Sequence, residues 1–319
     1  MSETAETPIA LTGLHPIGRG VERPEHVVVT GDGRVFASDR ASAVAELTGE
    51  HTVRRIGRAG GEPNGFALDR DGHVLIANWG VGALQELDPV TGAIATLLAD
   101  QLEGRPLKWL NFVLLDSLGA LWCSVSTTAD DLLDTIARGT PDGHLFRVAP
   151  DRRSAHVVAD AVGFPNCMAL DRDEAYLYVV RTLTADVVRF PIHGETLGPQ
   201  ERFGPPLGDR RPDEFGPDAG RFLADPQVGR RWGMADGCAF DAEGNLWVTL
   251  VLANRIVAIR PDGTATVVLD NPDGAALHGP TSIAWGGHDM RDIYVGSILT
   301  PHVLKGRSSV PGLPMVHQR

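Results

Sequence analysis

A short pattern of polar and apolar positions recurs along the whole chain. Each copy begins with a polar residue, continues with apolar or small residues, turns at Asp-x-x-Gly or a close variant, and resumes with strand-forming residues. Two such runs around a tight turn are typical of a β-hairpin. The copies begin at six positions, called marker residues below: Glu25, Asn64, Asn111, Asn166, Asp236 and Thr281.

Most copies carry further strand-like runs after the hairpin, such as residues 82–88 and 254–260. Helical periodicity is nearly absent, and residues 130–138 are the best candidate for a short helix. Repeated four-stranded units without crossover helices predict an all-β fold, a six-bladed β-propeller with four-stranded blades. The last unit is short of a strand after Val303, and residues 10–15 can supply it. An N-terminal strand is therefore expected to close the ring.

The repeats also predict how the chain is divided. Residues 1–319 are expected to form a single propeller domain, because each repeat adds its own piece of core. Residues 1–9 are expected to be flexible. Residues 198–231 are rich in Gly, Pro, Asp and Arg and interrupt the repeat, so they form either a lid over one face or a disordered surface insert.

The charge and composition of the chain limit the classes of partner that it is expected to bind. The formal net charge of −12 argues against nucleic acid, which needs a basic surface to displace its counterions. No signal peptide is visible and no apolar stretch reaches membrane-spanning length, so no membrane partner is expected. The odd number of cysteines, three, fits reduced thiols in a cytoplasmic protein. The oligomeric state is left open.

The marker residues predict a cation site. Each marker precedes the innermost strand of its blade, so all six should meet at one mouth of the central tunnel. Glu25 and Asp236 supply negative charge, Asn111 and Asn166 supply amide oxygens, and Asn64 is either a further ligand or a contact for substrate. Such oxygen ligands suit Ca²⁺, Mg²⁺ or Mn²⁺ better than Zn²⁺, which prefers His or Cys. The Asp residues of the Asp-x-x-Gly turns lie at the other strand end, where a turn role is expected.

Several motifs make the sequence resemble the SMP-30/gluconolactonase/luciferin-regenerating-enzyme-like propellers. They are Phe-Pro-Asn at 164–166 with 176–179, Ala-Asp-Gly at 235–237 with 244–248, and the closing run 280–287. The resemblance implies a six-bladed propeller that holds one catalytic divalent cation, often calcium, through a Glu, two Asn and an Asp. Carried over by position, these ligands are Glu25, Asn111, Asn166 and Asp236.

Two departures from that family pattern matter. The usual Glu-Gly-Pro around the first ligand reads Glu22-Arg-Pro-Glu25 here, and Glu25 is preferred over Glu22 because it alone stands eight residues before the turn glycine. Sugar-lactone members usually carry an Arg two residues before the second ligand, where this chain has Trp109. We therefore expect a less polar substrate than a sugar lactone.

The chemistry expected of this site is hydrolysis of a small ester or lactone. The cation would polarise the carbonyl, and Asp236 would act as general base or nucleophile; a phosphotriester could be processed in the same way. Trp79, Trp109 and Arg181 are expected to contact substrate. The alternatives are packing between blades for the tryptophans and a salt bridge to a neighbouring Asp for Arg181. A non-catalytic calcium-stabilised binding propeller and a biosynthetic isomerase or ring-opening enzyme remain as alternative functions.

Overall fold

A computed structural model describes residues 9–211 and 225–319. The described residues form six antiparallel sheets of four or five strands, each one blade of a propeller, and one separate two-stranded hairpin. Blade one contains β2 (Val27–Val29), β3 (Val35–Ser38), β4 (Val44–Leu47) and β5 (Val53–Ile56). Blade two contains β6 (Pro63–Leu68), β7 (Val74–Asn78), β8 (Ala83–Leu87) and β9 (Ile94–Ala99). The predicted all-β propeller is confirmed.

The remaining blades follow in chain order after the hairpin of β10 (Gln101–Leu102) and β11 (Arg105–Pro106). Blade three contains β12 (Leu110–Leu115), β13 (Leu121–Val125), β14 (Gly143–Val148) and β15 (Ala155–Val162). Blade four contains β16 (Pro165–Leu170), β17 (Tyr176–Arg181), β18 (Asp186–His193), β19 (Thr196–Leu197) and β20 (Glu201–Phe203). Blade five contains β21 (Ala235–Phe240), β22 (Leu246–Leu250), β23 (Arg255–Ile259) and β24 (Ala265–Asp270). Blade six contains β25 (Pro280–Gly286), β26 (Asp292–Ser297), β27 (Val303–Ser308) and β1 (Leu11–Ile17).

Blade six joins the two ends of the chain. The N-terminal β1 pairs antiparallel with β27, with Leu11 opposite Ser308 and Ile17 opposite Val303. The first strand therefore supplies the outer strand of the last blade, as the sequence predicts. The innermost strands β2, β6, β12, β16, β21 and β25 pack against one another around the central axis. Such closure leaves the ring without an open seam.

The Asp-x-x-Gly turns are held by their aspartates. Asp116 Oδ1 accepts hydrogen bonds from the backbone of Leu118 and Ala120, at 3.0 and 2.8 Å. Its Oδ2 accepts one from the indole of the buried Trp122 at 3.0 Å. Asp241 repeats the arrangement in blade five, with Trp247 as the indole donor at 2.9 Å. These aspartates fix the turn and anchor the core, which confirms the expected turn role.

Two helices of the described residues lie outside the six sheets, and the predicted insert is described only in part. Helix α1 (Leu132–Arg138) falls within the predicted 130–138 and is capped by Asp131, and helix α2 (Pro226–Trp232) is capped by Asp225. A single 3-10 turn spans Val316–Gln318. Of the predicted insert 198–231, residues 201–203 are β20, which pairs with β18, while 212–224 lie outside the described residues, as do residues 1–8. Within the described ranges, neither helix has the length and hydropathy to cross a bilayer.

The C-terminal segment covers the tunnel end opposite the marker residues. Gln318 donates from Nε2 to the carbonyl oxygens of Val29 and Trp285, at 2.8 and 2.9 Å, and so bridges β2 and β25. Behind it lies a cavity of about 70 Å³ lined mainly by apolar side chains, among them Phe112 and Met168. The tail therefore joins blades one and six at this end of the axis.

Candidate functional site

The marker residues occupy an irregular position that repeats from blade to blade. A break in the strand register occurs at the marker in five blades, between the pairs Pro63/Phe66, Leu110/Phe112, Pro165/Met168, Ala235/Cys238 and Pro280/Ser282. In blade one Glu25 stands just before β2. Such irregularities re-aim a side chain that the regular pleat would send elsewhere. The marker position therefore interrupts the regular strand pairing in blades two to six.

The backbone two residues before the marker is also unusual. Arg23, Phe164 and Met234 adopt φ of 56°, 55° and 57°, and Gly279 has the same geometry at 57°. A bulky residue in this left-handed region costs on the order of 1 kcal/mol or more, and such strain concentrates at functional sites. Three bulky side chains are thus held at the entrance at an energetic cost.

Amide side chains link blades two, three and four beside the axis. Asn64 donates from Nδ2 to the backbone oxygen and to Oδ1 of Asn111, at 3.0 and 3.2 Å. The Nδ2 of Asn111 donates to Ser126 Oγ at 3.0 Å, and that of Asn166 to Thr182 Oγ1 at 3.2 Å. Each amide nitrogen therefore has a protein acceptor, so the carbonyl oxygen is the atom of each side chain that suits a cation.

Two carboxyl groups meet at the same place. Glu25 and Asp236 are both buried, and burial raises the pKa of each. The pKa of Asp236 lies well above its usual value, because the Glu25 carboxyl and the Cys167 thiol add to the effect of burial. Arg23 and the Asn64 amide oppose the rise in the pKa of Glu25. Two buried acids side by side are costly unless a positive charge compensates them.

The contacts of Glu25 test whether these residues fit a cation. In the part of the chain that the structure describes, no donor makes a hydrogen bond to its buried Oε2. That oxygen instead forms an ion pair with the Arg23 guanidinium. A buried carboxylate next to a second acid and to amide side chains fits a hard divalent cation, although its present cationic partner is the Arg23 guanidinium.

Glu22, the competing acid, lies in a different environment. Its side chain is 51% exposed, against 9% for Glu25, and it pairs loosely with Arg40 at 3.8 Å. Its backbone N–H donates to Asp39 Oδ1 at 2.8 Å, which fixes the loop rather than the site. The geometry therefore places Glu25, and not Glu22, with the other buried polar groups.

A group of aromatic side chains, called the aromatic wall below, lies near the marker asparagines. Trp79 contacts Trp109 edge to face, with ring centroids 5.0 Å apart, and lies 6.5 Å from Phe164. Trp109 is oriented by a hydrogen bond from its indole N–H to the Ala129 carbonyl at 2.7 Å. Sequence reasoning missed Phe164, although it stands two residues before a marker, as Trp109 does. That shared spacing was the available signal.

Arg181 is held by an acid of its own blade. It makes a two-pronged contact with Asp186, from Nε to Oδ1 at 2.9 Å and from Nη2 to Oδ2 at 2.6 Å. Asp186 is buried and also accepts a hydrogen bond from Thr184 at 2.6 Å. This salt bridge is the alternative that the sequence left open, and a role of Arg181 in substrate binding stays a prediction.

His26 follows Glu25 and faces the tunnel. Burial lowers its pKa to about 3, and its Nδ1 accepts a hydrogen bond from the backbone of Phe66 at 3.2 Å. Its ring packs edge to face against Phe66 and Phe112, at 5.1 and 4.9 Å. An imidazole that is neutral and so weakly basic is a poor general base at neutral pH. Asp236 is the better candidate for that role.

A second acidic group lies on the outer part of blade two. Asp69, His73 and Glu86 lie close enough to hold a metal ion and are half-buried. Asp69 already accepts hydrogen bonds from the backbone of Asp71 and His73, at 2.9 and 2.8 Å. His73 in turn lies 3.3 Å from Glu86. A turn and an ion pair account for this group, which sits at the strand end away from Asn64.

The chain is similar to several known proteins in sequence and in structure. It is 27% identical to a pentonolactonase of Haloferax volcanii over 185 residues, covering 58% of this chain and 52% of that protein. A gluconolactonase structure from Xanthomonas campestris superposes with a TM-score of 0.70 at 17% identity, covering 96% of both chains. Regucalcin from Agrobacterium tumefaciens, a calcium-binding protein, superposes with a TM-score of 0.64 at 18% identity. The match covers 96% of this chain and 97% of that one.

The extent of these matches differs between sequence and structure. Against four curated relatives the chain spans between 36% and 63% of the relative's own length. The structural likenesses cover nearly the whole chain, but at such low identity they show the fold alone. The model of the SMP-30/gluconolactonase/LRE-like region matches residues 87–299, about two thirds of the sequence. The chain therefore belongs to the SMP-30/gluconolactonase/LRE-like family.

Proposed function

We propose that this protein is a divalent-cation-dependent hydrolase of the lactonase or esterase type. Its cation, Ca²⁺ as first choice with Mg²⁺, Mn²⁺ or Zn²⁺ as alternatives, would be held by Glu25, Asn111, Asn166 and Asp236. The observation that carries the proposal is the burial of Glu25 and Asp236 together at the tunnel entrance, with the pKa of both raised. The lactonases among its relatives support the reaction class.

The bound cation would supply a Lewis acid that polarises the substrate carbonyl. Asp236 is the acid suited to proton transfer: its Oδ atoms can accept the proton of an attacking water, or attack the carbonyl directly. In the metal-free site, burial and the Glu25 carboxyl raise the pKa of Asp236, which makes its carboxylate a stronger base than an exposed one. Asn64, tied to Asn111, would orient the substrate from the neighbouring blade.

The entrance favours an apolar substrate. Trp79 and Trp109 are half-buried and contact each other, so each offers ring surface suited to an aryl or alkyl group, while Phe164 is buried behind Trp79. We therefore expect aryl esters and apolar lactones to be better substrates than aldonolactones. The three free, buried cysteines fit a protein that works in the cytoplasm.

The test is a hydrolysis screen of the full chain across aryl esters, apolar lactones, aldonolactones and phosphotriesters, with Ca²⁺ and with chelator. Chelator-sensitive turnover that is lost in Asp236→Asn and Glu25→Gln supports the proposal. Glu86→Gln is the matched control, because it removes one carboxylate from the outer acidic group and leaves the central site intact. Turnover that survives chelator and both central variants would refute the proposed mechanism.

A further inference from the structure

We infer that Arg23 is a built-in competitor for the cation, whose guanidinium occupies the positive-charge position beside Glu25 and weakens divalent-cation binding. The inference rests on the proposed cation site. The role of Arg23 is to set how tightly the site holds a cation, and it takes no part in the chemistry.

The guanidinium is held by two residues of the site. Nη2 forms the ion pair with Glu25 Oε2, and Nη1 donates to Asn64 Oδ1 at 2.8 Å. The Arg23 side chain is only 18% exposed, so it lies among the buried polar groups rather than in solvent. One positive charge thus neutralises the acid that the cation would need.

The backbone keeps this side chain in place. Arg23 adopts φ of 56°, in the left-handed region, and the N–H of Glu25 donates to the Arg23 carbonyl at 2.8 Å across Pro24. Because Pro24 also has a fixed φ, the loop has little freedom to carry Arg23 away as a unit. Departure of the guanidinium must therefore come from side-chain rotation.

Charge repulsion makes the two occupants exclusive. A divalent ion bound to Glu25 with the guanidinium still in contact would place three positive charges around one carboxylate. Repulsion between a single and a double charge a few ångströms apart is large enough, even in water, to change affinity on the order of tenfold. Removing Arg23 should therefore tighten cation binding, whereas removing a merely structural residue would loosen it.

The experiment measures Ca²⁺ affinity of the metal-free full chain by titration calorimetry, and thermal shift with and without Ca²⁺. Arg23→Asn and Arg23→Gly are chosen because both residues tolerate φ near 56°. We expect each to bind Ca²⁺ about tenfold more tightly than the unmodified chain. Each should also melt lower without Ca²⁺ and gain more from its addition. Arg23→Lys keeps the charge and should stay close to the unmodified chain.

Arg40→Gln is the matched control for net charge. Arg40 is 53% exposed and pairs loosely with Glu22 and Glu62, at 3.8 and 3.6 Å, without touching Glu25. Its loss should change Ca²⁺ affinity less than about twofold. Unchanged or weaker binding in both Arg23 variants, with normal binding by the unmodified chain, would overturn this inference alone. Absence of Ca²⁺ binding in every variant would overturn the proposed cation site, and the inference with it.

Discussion

The carboxyl groups of Glu25 and Asp236 interact in a buried site although they come from blades one and five. Each group raises the cost of ionising the other, since burial removes water that would screen them. Folding brings the two carboxyl groups together without placing a full complement of positive charge around them. The metal-free fold therefore holds two buried acids with one guanidinium, that of Arg23, beside them, and a bound cation would supply the further positive charge that the pair needs.

Asp236→Asn should stabilise the metal-free protein and abolish turnover. The folded-state pKa of Asp236 is raised, so its contribution to stability is present below the unfolded pKa and is lost as pH rises through the folded pKa. The stabilisation by Asn should accordingly be small at low pH and grow as the pH rises through the raised pKa. Denaturant unfolding with chelator at pH 5 and pH 8 measures it.

The kinetic part of that prediction is separate. Loss of a general base or nucleophile should lower kcat by at least about a hundredfold. An Asn variant that turns over substrate normally, or one that is less stable than the unmodified chain without metal, would contradict the assigned role of Asp236. Asp186→Asn is unsuitable as a control because that acid holds Arg181; Glu86→Gln serves again.

The buried His144 should make the stability of the fold depend on pH in a second way, separate from the cation site. It is fully buried, burial lowers its pKa to about 4, and the described residues provide no hydrogen-bond partner for either ring nitrogen. Among its charged neighbours, Asp160 and Asp142 raise the pKa of His144 and Arg105 lowers it, each by less than burial does. Below pH 6.5 His144 binds a proton in the unfolded chain but stays neutral in the folded one. The free energy of unfolding therefore falls as the pH is lowered from 6.5 to about 4.

Replacing His144 by Leu should remove this part of the pH dependence. The unmodified chain should lose roughly 3 kcal/mol relative to His144→Leu between pH 7 and pH 4. Parallel denaturant unfolding of both chains over that range gives the difference. His51→Gln, at an exposed position, is the control and should follow the unmodified chain. A constant difference across pH would show that His144 titrates normally when folded.

The C-terminal tail should matter for stability and not for chemistry. Gln318→Ala removes two hydrogen bonds that join β2 to β25, and deletion of 314–319 opens the tunnel. We expect Gln318→Ala to cost about 1 kcal/mol and the deletion to cost more. Both should keep kcat at temperatures where they are folded, since the tail lies at the end away from Glu25. A selective loss of kcat in Gln318→Ala would place the tail within the active site.

The propeller and its ring closure were predictable because their causes are local and repeated. Asp116 and Asp241 each fix a tight turn with the same hydrogen bonds, and that repetition is visible in the sequence. The constant spacing between each marker residue and its turn also favoured Glu25 over Glu22. The contact of Arg23 with Glu25 was not predictable, because it depends on a left-handed backbone that a sequence pattern does not specify for arginine. The C-terminal closure of the tunnel likewise depends on tertiary contacts alone.

The aromatic wall should decide substrate preference. Trp109→Ala removes one face of the wall and the indole bond to Ala129, while Trp109→Phe keeps a ring and loses only that bond. For an aryl ester we expect kcat/KM to fall up to about tenfold in Trp109→Ala and much less in Trp109→Phe. A small ester such as vinyl acetate provides the control within each variant, since it has no ring to contact Trp79 or Phe164 and should be affected little. Equal losses for the aryl and the small ester would mean that the tryptophan supports the fold of the entrance and does not bind substrate.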